Sequence, residues 1–144
     1  MKGSAKLAGM GAAVIAATLF VGACTSDDGE LEHENPVEVE EISGSEIRRL
    51  TLTESAAERL DIQTSTVESA DEGLVVSSAA VIIDPTGTYW VYTNPEPLVF
   101  VRHEIRPVRE DGQLAFFEEG PAIGTFVVIT GVPELYGAEF GIGK

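Results

Sequence analysis

The 144-residue chain has one cysteine, two histidines, two methionines and one tryptophan. Each scarcity excludes something. Cys24 has no second thiol to pair with, so no internal disulfide forms and folding rests on a packed core alone. Met1 and Met10 both fall at the start of the chain, which leaves no methionine-rich copper site. His33 and His103 belong to no H-E-x-x-H pattern, and a G-x-S-x-G elbow, a P-loop and a paired-cysteine motif are all missing. The expectation is a protein with no catalytic residues, no metal centre and no cofactor. Bases are scarce as well: nine lysines and arginines stand against 24 acids, a net charge of −15. Such a chain repels phosphate backbones and anionic lipid surfaces, so nucleic acid is a poor partner. No long heptad run occurs, which argues against a coiled coil.

What is present begins with a short basic head, Lys2 and Lys6, followed by a run of small and apolar residues from Leu7 to Ala23. Its 17 residues are few for a spanning helix, and its alanines and glycines make it weakly hydrophobic. Head, core and polar flank have the layout of a secretory signal. The ending Val21-Gly22-Ala23-Cys24 resembles the lipobox of bacterial lipoproteins. That resemblance implies cleavage before Cys24, with a diacylglycerol carried on its thiol, and a mature chain held by its acyl chains at the extracytoplasmic face of a membrane. Two or three acyl chains anchor durably where one does not. Removing residues 1–23 takes two lysines and no acid, leaving seven bases against 24 acids and a net charge of −17.

Residues 24–45 are dense in acid, with Asp27, Asp28, Glu30, Glu32, Glu34, Glu38, Glu40 and Glu41, and hold no aromatic residue. They read as a disordered tether that lifts a domain away from the lipid. His33 among these scattered carboxylates is a weak ligand set for a cation. Residues 46–144 read as one folded domain. Ile47 to Thr53 alternates with Leu50 and Leu52 on one face, a strand with its leucines inward. "ESAAERLD" changes period to a short helix, with Thr53 or Ser55 as cap and Ser55 with Glu58 as a capping box. "IQTSTVES" and "GLVVSSAAVII" return to strand, the latter stopped by a turn at Asp84-Pro85-Thr86-Gly87. "TYWVYTN", "LVFVRHEIRPVR", "LAFFEE" and "TFVVIT" follow as strands between Pro- and Gly-rich turns, the last apolar on both faces as in a buried central strand. The fold class expected is mainly β: a small barrel or sandwich of about six to seven strands with one short helix.

The order of these pieces resembles periplasmic adaptor subunits, the membrane fusion proteins of resistance–nodulation–division efflux transporters. The resemblance is carried by Gly87 before Tyr89-Trp90-Val91-Tyr92, then Phe100 and Val101, a charged strand, and the Asp111-Gly112 turn. Gly120 and Gly124 follow ahead of Val127-Val128, and Gly131 and the Glu134-Leu135-Tyr136 tail complete it. The earlier "LTLTESAAERLDIQTSTVE" is similar to the segment such adaptors carry ahead of their lipoyl half-motif. The family inserts a lipoyl domain, a helical hairpin and a barrel between these segments; this chain has none of them. The resemblance therefore implies the membrane-proximal domain alone, set against the outer face of a transporter, with no duct-docking hairpin. Pro121 stands where the family has leucine, and Ile123 is expected to fill that pocket instead.

The function implied is a non-enzymatic, lipid-anchored accessory of an efflux transporter; the alternative is a ligand- or cation-binding lipoprotein that serves a transporter. Residues singled out for partner contact are Trp90, Arg102, Glu104, Arg106 and Tyr136. Arg102, Glu104 and Arg106 fall on one strand face and read as a solvated strip of ion pairs, while His103 shares the other face with Val101 and Ile105 and reads as half-buried. Pro107 cannot donate to a ladder, so its strand is an edge or is bulged there. An exposed edge is also where a second copy would pair to make a homo-oligomer.

Overall fold

Alternating apolar residues in a chain with few helix-favouring stretches build strands, and ten of them are found in the computed structural model, which describes residues 35–142. The signal sequence, Cys24 and His33 lie outside the described residues. Val37–Glu41 (β1) pairs antiparallel with Arg48–Leu52 (β2). Helix α1, Glu54–Arg59, follows at once, capped by Thr53, whose hydroxyl accepts the Ala56 N–H at 3.2 Å. Gln63–Thr66 (β3) and Glu68–Ala70 (β4) are one run of chain broken at Val67. Gly73–Ser77 (β5) leads into a 3₁₀ turn at Ser78–Ala80 and the two-residue strand Ile82–Ile83 (β6). The expected turn at Asp84–Gly87 is present, closed by the Gly87 N–H donating to the Asp84 carbonyl at 2.9 Å. Then come Tyr89–Glu96 (β7), Val99–Asp111 (β8), Leu114–Glu119 (β9), Phe126–Thr130 (β10) and a closing helix α2, Val132–Phe140.

Seven strands form one antiparallel path, β3-β10-β7-β8-β9-β5-β4, with β2 and β6 attached to β8 and β7, and β1 attached to β2. The first and last strands of the path are separated in sequence by Val67 alone, so the sheet curls on itself as a half-barrel. Strand β8 turns the corner. Its first half lies between β7 and β2, its second half pairs with β9, and the register shifts on both sides of Pro107. A proline that cannot donate to the ladder sits where the ladder changes partner. The chain is thus mainly β, as its pattern predicts.

Curling gives the sheet two cores. One gathers Val67, Val76, Val91, Ile105, Ala115, Phe117 and Val127 from the strands around the curl. The other, on the opposite face, gathers Leu50, Leu52, Tyr92, Phe100 and Val128 under Ala56 of α1 and Val132 and Leu135 of α2. Neighbours such as Val91 and Tyr92, or Val127 and Val128, point to opposite sides and go to different cores. This is why β10, inserted between β3 and β7, is apolar on both faces.

Several expectations are corrected. Residues 37–41 of the expected tether form β1, because Glu40 and Glu41 face Arg49 and Arg48 across the ladder and Val37 packs on the core. Among the described residues there are two α-helices rather than the one expected, the second being α2, which contains the Glu134-Leu135-Tyr136 tail. Of the two caps expected for α1, Thr53 is the one found, and the Ser55–Glu58 box is not. The long candidate strand "GLVVSSAAVII" is broken by the 3₁₀ turn. Pro121 is itself buried while Ile123 is 62 % exposed, so the isoleucine fills no pocket.

Candidate functional site

Residues facing each other in an antiparallel pair share a side of the sheet, so the register of β7 and β8 sets the site. Tyr92 faces Arg102 and Trp90 faces Glu104. This side is the one that α2 covers. The helix starts at Gly131, whose φ of 85° puts it in the left-handed region, has a proline in its first turn, and stops at Gly141, with φ 66°. Those ends fix which face meets the sheet: Val132, Leu135 and Glu139 are its buried residues.

Glu139 is 1 % exposed and Arg102 5 %. The Tyr92 hydroxyl donates to Glu139 Oε2, and the Arg102 Nε lies 3.3 Å from Oε1. Arg48 Nη1 donates to the Glu139 backbone carbonyl at 2.6 Å, which ties the end of α2 to β2. The Arg102 guanidinium carbon lies 4.1 Å from the centre of the Trp90 ring and 5.0 Å from that of Phe140. Tyr136 and Phe140, one helical turn apart, have ring centres 4.7 Å apart. Trp90 is held from its other end by its indole N–H, which donates to Asp84 Oδ2 at 3.0 Å. The result is a buried cation capped by two aromatic rings, with a third aromatic beside them on the exposed shoulder of α2.

Burial, and then the Glu139 carboxylate at its hydroxyl, pushes the Tyr92 phenol well above its ordinary value. Tyr92 is a fixed hydrogen-bond donor and neither a base nor a nucleophile. The Asp84 carboxylate accepts from the Thr86 hydroxyl, and also from the Thr88 and Thr86 backbone and the Trp90 indole. Together these lower its pKa to about 2. No group of three or more His, Cys, Asp or Glu side chains is placed to hold a metal ion among the described residues.

The structure brings three of the five predicted contact residues together: Trp90, Arg102 and, through Phe140, Tyr136. Arg102 does not lie on a solvated strip. It is buried because α2 covers it, so it supports the surface without forming it. Glu104 is exposed in register with Trp90. Arg106 is exposed and pairs with Glu119 at 2.8 Å, at the β8 bulge and outside the cluster. His103 is exposed and not half-buried. Glu139, Arg48 and Phe140 complete the cluster and escaped the sequence reading. The available signal was Val132, Leu135 and Glu139 at helical spacing between Pro133 and Gly141.

No family model, curated protein or solved structure matches the chain.

A second feature flanks the other shoulder of α2. A groove of about 610 Å³ runs between α1 and α2. Its lining is nearly all apolar, and the small residues Ala56, Gly137 and Ala138 are what leave it open. Among the described residues no helix is long and apolar enough to cross a membrane.

Proposed function

We propose that this chain is a non-enzymatic, lipid-anchored accessory of an efflux transporter, held through Cys24 at the extracytoplasmic face of the bacterial cell membrane and docked on its partner by the aromatic shoulder of α2. The observation that carries the reading is the Trp90–Arg102–Phe140–Tyr136 cluster. Phe140 is 42 % exposed, Trp90 and Tyr136 are half-buried, and all are held rigid from beneath by the Arg102–Glu139 pair. Tryptophan, tyrosine and arginine on a pre-organised surface are the residue types that dominate binding energy at interfaces. The lipobox supports the membrane setting, because confinement to a bilayer raises effective concentration near a membrane partner. The motif order supports the choice of partner.

The test is recovery of partners from membranes after cross-linking of the tagged full chain. A transporter with many membrane spans is expected in the wild-type eluate, reduced about tenfold by Phe140→Ala. Failure to recover such a protein, or recovery unchanged by Phe140→Ala, overturns the reading. Cys24→Ser is expected to abolish acyl incorporation and to leave residues 1–23 uncleaved, both read by mass spectrometry.

A further inference from the structure

The groove between α1 and α2 has two unlike ends. Where α1 stops and α2 starts, the elements are in contact: a Cβ on Gly131 would lie 3.4 Å from the Leu60 carbonyl oxygen. Arg59 and Glu134 line this end. Arg59 spends its Nε on the Ser55 carbonyl within its own helix, at 3.2 Å. Neither charge joins an ion pair among the described residues. Away from this mouth the lining is uncharged: Leu52 and Leu135 lie behind it, and Val37, Ala138 and Ile142 line the far end. Ile142 is 68 % exposed.

A slot of about 610 Å³ falls inside the range typical of small-molecule sites, roughly 300–1,000 Å³. Its chemistry asks for a slender apolar tail ending in a head that carries both a negative and a positive charge. We infer that the groove binds a single-chain zwitterionic amphiphile of the lysophosphatidylethanolamine type. The acyl tail lies over Val37, Leu60 and Ala138, with Leu52 and Leu135 buried beneath them; the phosphate meets Arg59, and the ammonium meets Glu134. An anionic fatty acid satisfies Arg59 but meets repulsion from Glu134, and a neutral alkane leaves both charges unanswered. The inference goes beyond the docking role and does not depend on the lipid anchor.

The test uses the chain produced without residues 1–23 and carrying Cys24→Ser, so that neither an attached acyl group nor the apolar leader competes. The probe is 1-palmitoyl-lysophosphatidylethanolamine, titrated calorimetrically below its critical micelle concentration. Saturable binding of one molecule per chain is expected. Gly137→Leu fills the groove and is expected to weaken binding about tenfold or more. The position tolerates a side chain, since a Cβ there meets only the Ile142 carbonyl oxygen, at 3.6 Å. Should Gly137→Leu lose its cooperative melting, Ile142→Asp on the exposed rim carries the same test. Arg59→Gln and Glu134→Gln are each expected to weaken the lysolipid about threefold, whereas Glu134→Gln tightens palmitate. Three outcomes overturn the inference: no saturable binding, affinity unchanged by the groove variants, or lysolipid affinity indifferent to both charge variants.

Discussion

Arg102 and Glu139 occupy positions that aliphatic side chains fill elsewhere in the same core, and desolvating both ions is costly. Their attraction, the Tyr92 hydroxyl and the two aromatic faces offset that cost only while all partners are present. Removing one ion strands the other. Glu139→Ala is therefore expected to destabilise the fold by about 3–5 kcal/mol in urea unfolding, and Arg102→Met by a similar amount. The double variant Arg102→Met/Glu139→Leu is expected to recover most of that loss, because the site then becomes continuous with its apolar surroundings. Additive losses in the double variant would show that the pair does not act as a unit. Asp84 poses a titration question. Its carboxylate pKa lies near 2 in the fold, lowered first by the Thr86 hydroxyl, against an ordinary value of 3.8. A depressed carboxylate stabilises the fold above its unfolded pKa and loses that effect as pH falls through the folded one. The melting-temperature gap between wild type and Asp84→Asn is thus expected to be full at neutral pH and to close between about pH 4 and pH 2. A gap that persists at pH 2 would assign the effect to the amide and not to the charge.

At the scale of elements, α2 holds the cluster and rests on its glycines for opposite reasons. Gly131 has φ 85°, and a side chain there would collide with the Cδ1 of Ile62. Gly131→Ala is expected to cost about 2 kcal/mol or more in chemical denaturation. Gly137 lies within the helix with open space, so Gly137→Ala is expected to stabilise by up to about 1 kcal/mol. The same glycines explain what could be read from the sequence. Leu50 and Leu52 alternate against polar neighbours, so β2 and its inward face are legible; Pro107 marks a defect in β8, and Val127-Val128 a strand between two cores. Four glycines and prolines in eleven residues, from Gly131 to Gly141, argue against a helix by propensity. Val132, Leu135 and Glu139 form one because they dock on a sheet whose position local sequence does not encode. Strand β1 hid for a related reason: its acids look like a solvated tether until Arg48 and Arg49 are set opposite them. Alternation gives the side of the sheet on which Arg102 lies, but not that a helix from the far end of the chain covers it.

At the scale of the molecule, the curl places one core inside and one under the helices, so the strands between them are fixed from both sides while charge collects on the surface. The surface ion pairs, Arg49–Glu96 at 3.6 Å, Arg106–Glu119 at 2.8 Å, Arg109–Glu72 at 2.5 Å and Arg109–Asp111 at 3.3 Å, are exposed and weaken with salt. Against them stands the mutual repulsion of an excess of carboxylates, with 24 acids in the whole chain, and salt weakens that as well. Two effects of opposite sign respond to the same variable. Four exposed pairs at about 0–1 kcal/mol each are a small sum, whereas repulsion acts among all unpaired acids at once. Repulsion should win: the melting temperature is expected to rise as ionic strength goes from about 0.01 M to 0.15 M, where the Debye length falls from about 30 Å to 8 Å. The buried Arg102–Glu139 pair is shielded from this screening, so the Arg102→Met/Glu139→Leu variant is expected to show the same rise. A flat or falling curve in the wild type would mean that the surface pairs outweigh the excess charge. A rise lost in the double variant would mean that the ions under α2 are open to solvent, which the packing of Trp90 and Phe140 around them opposes.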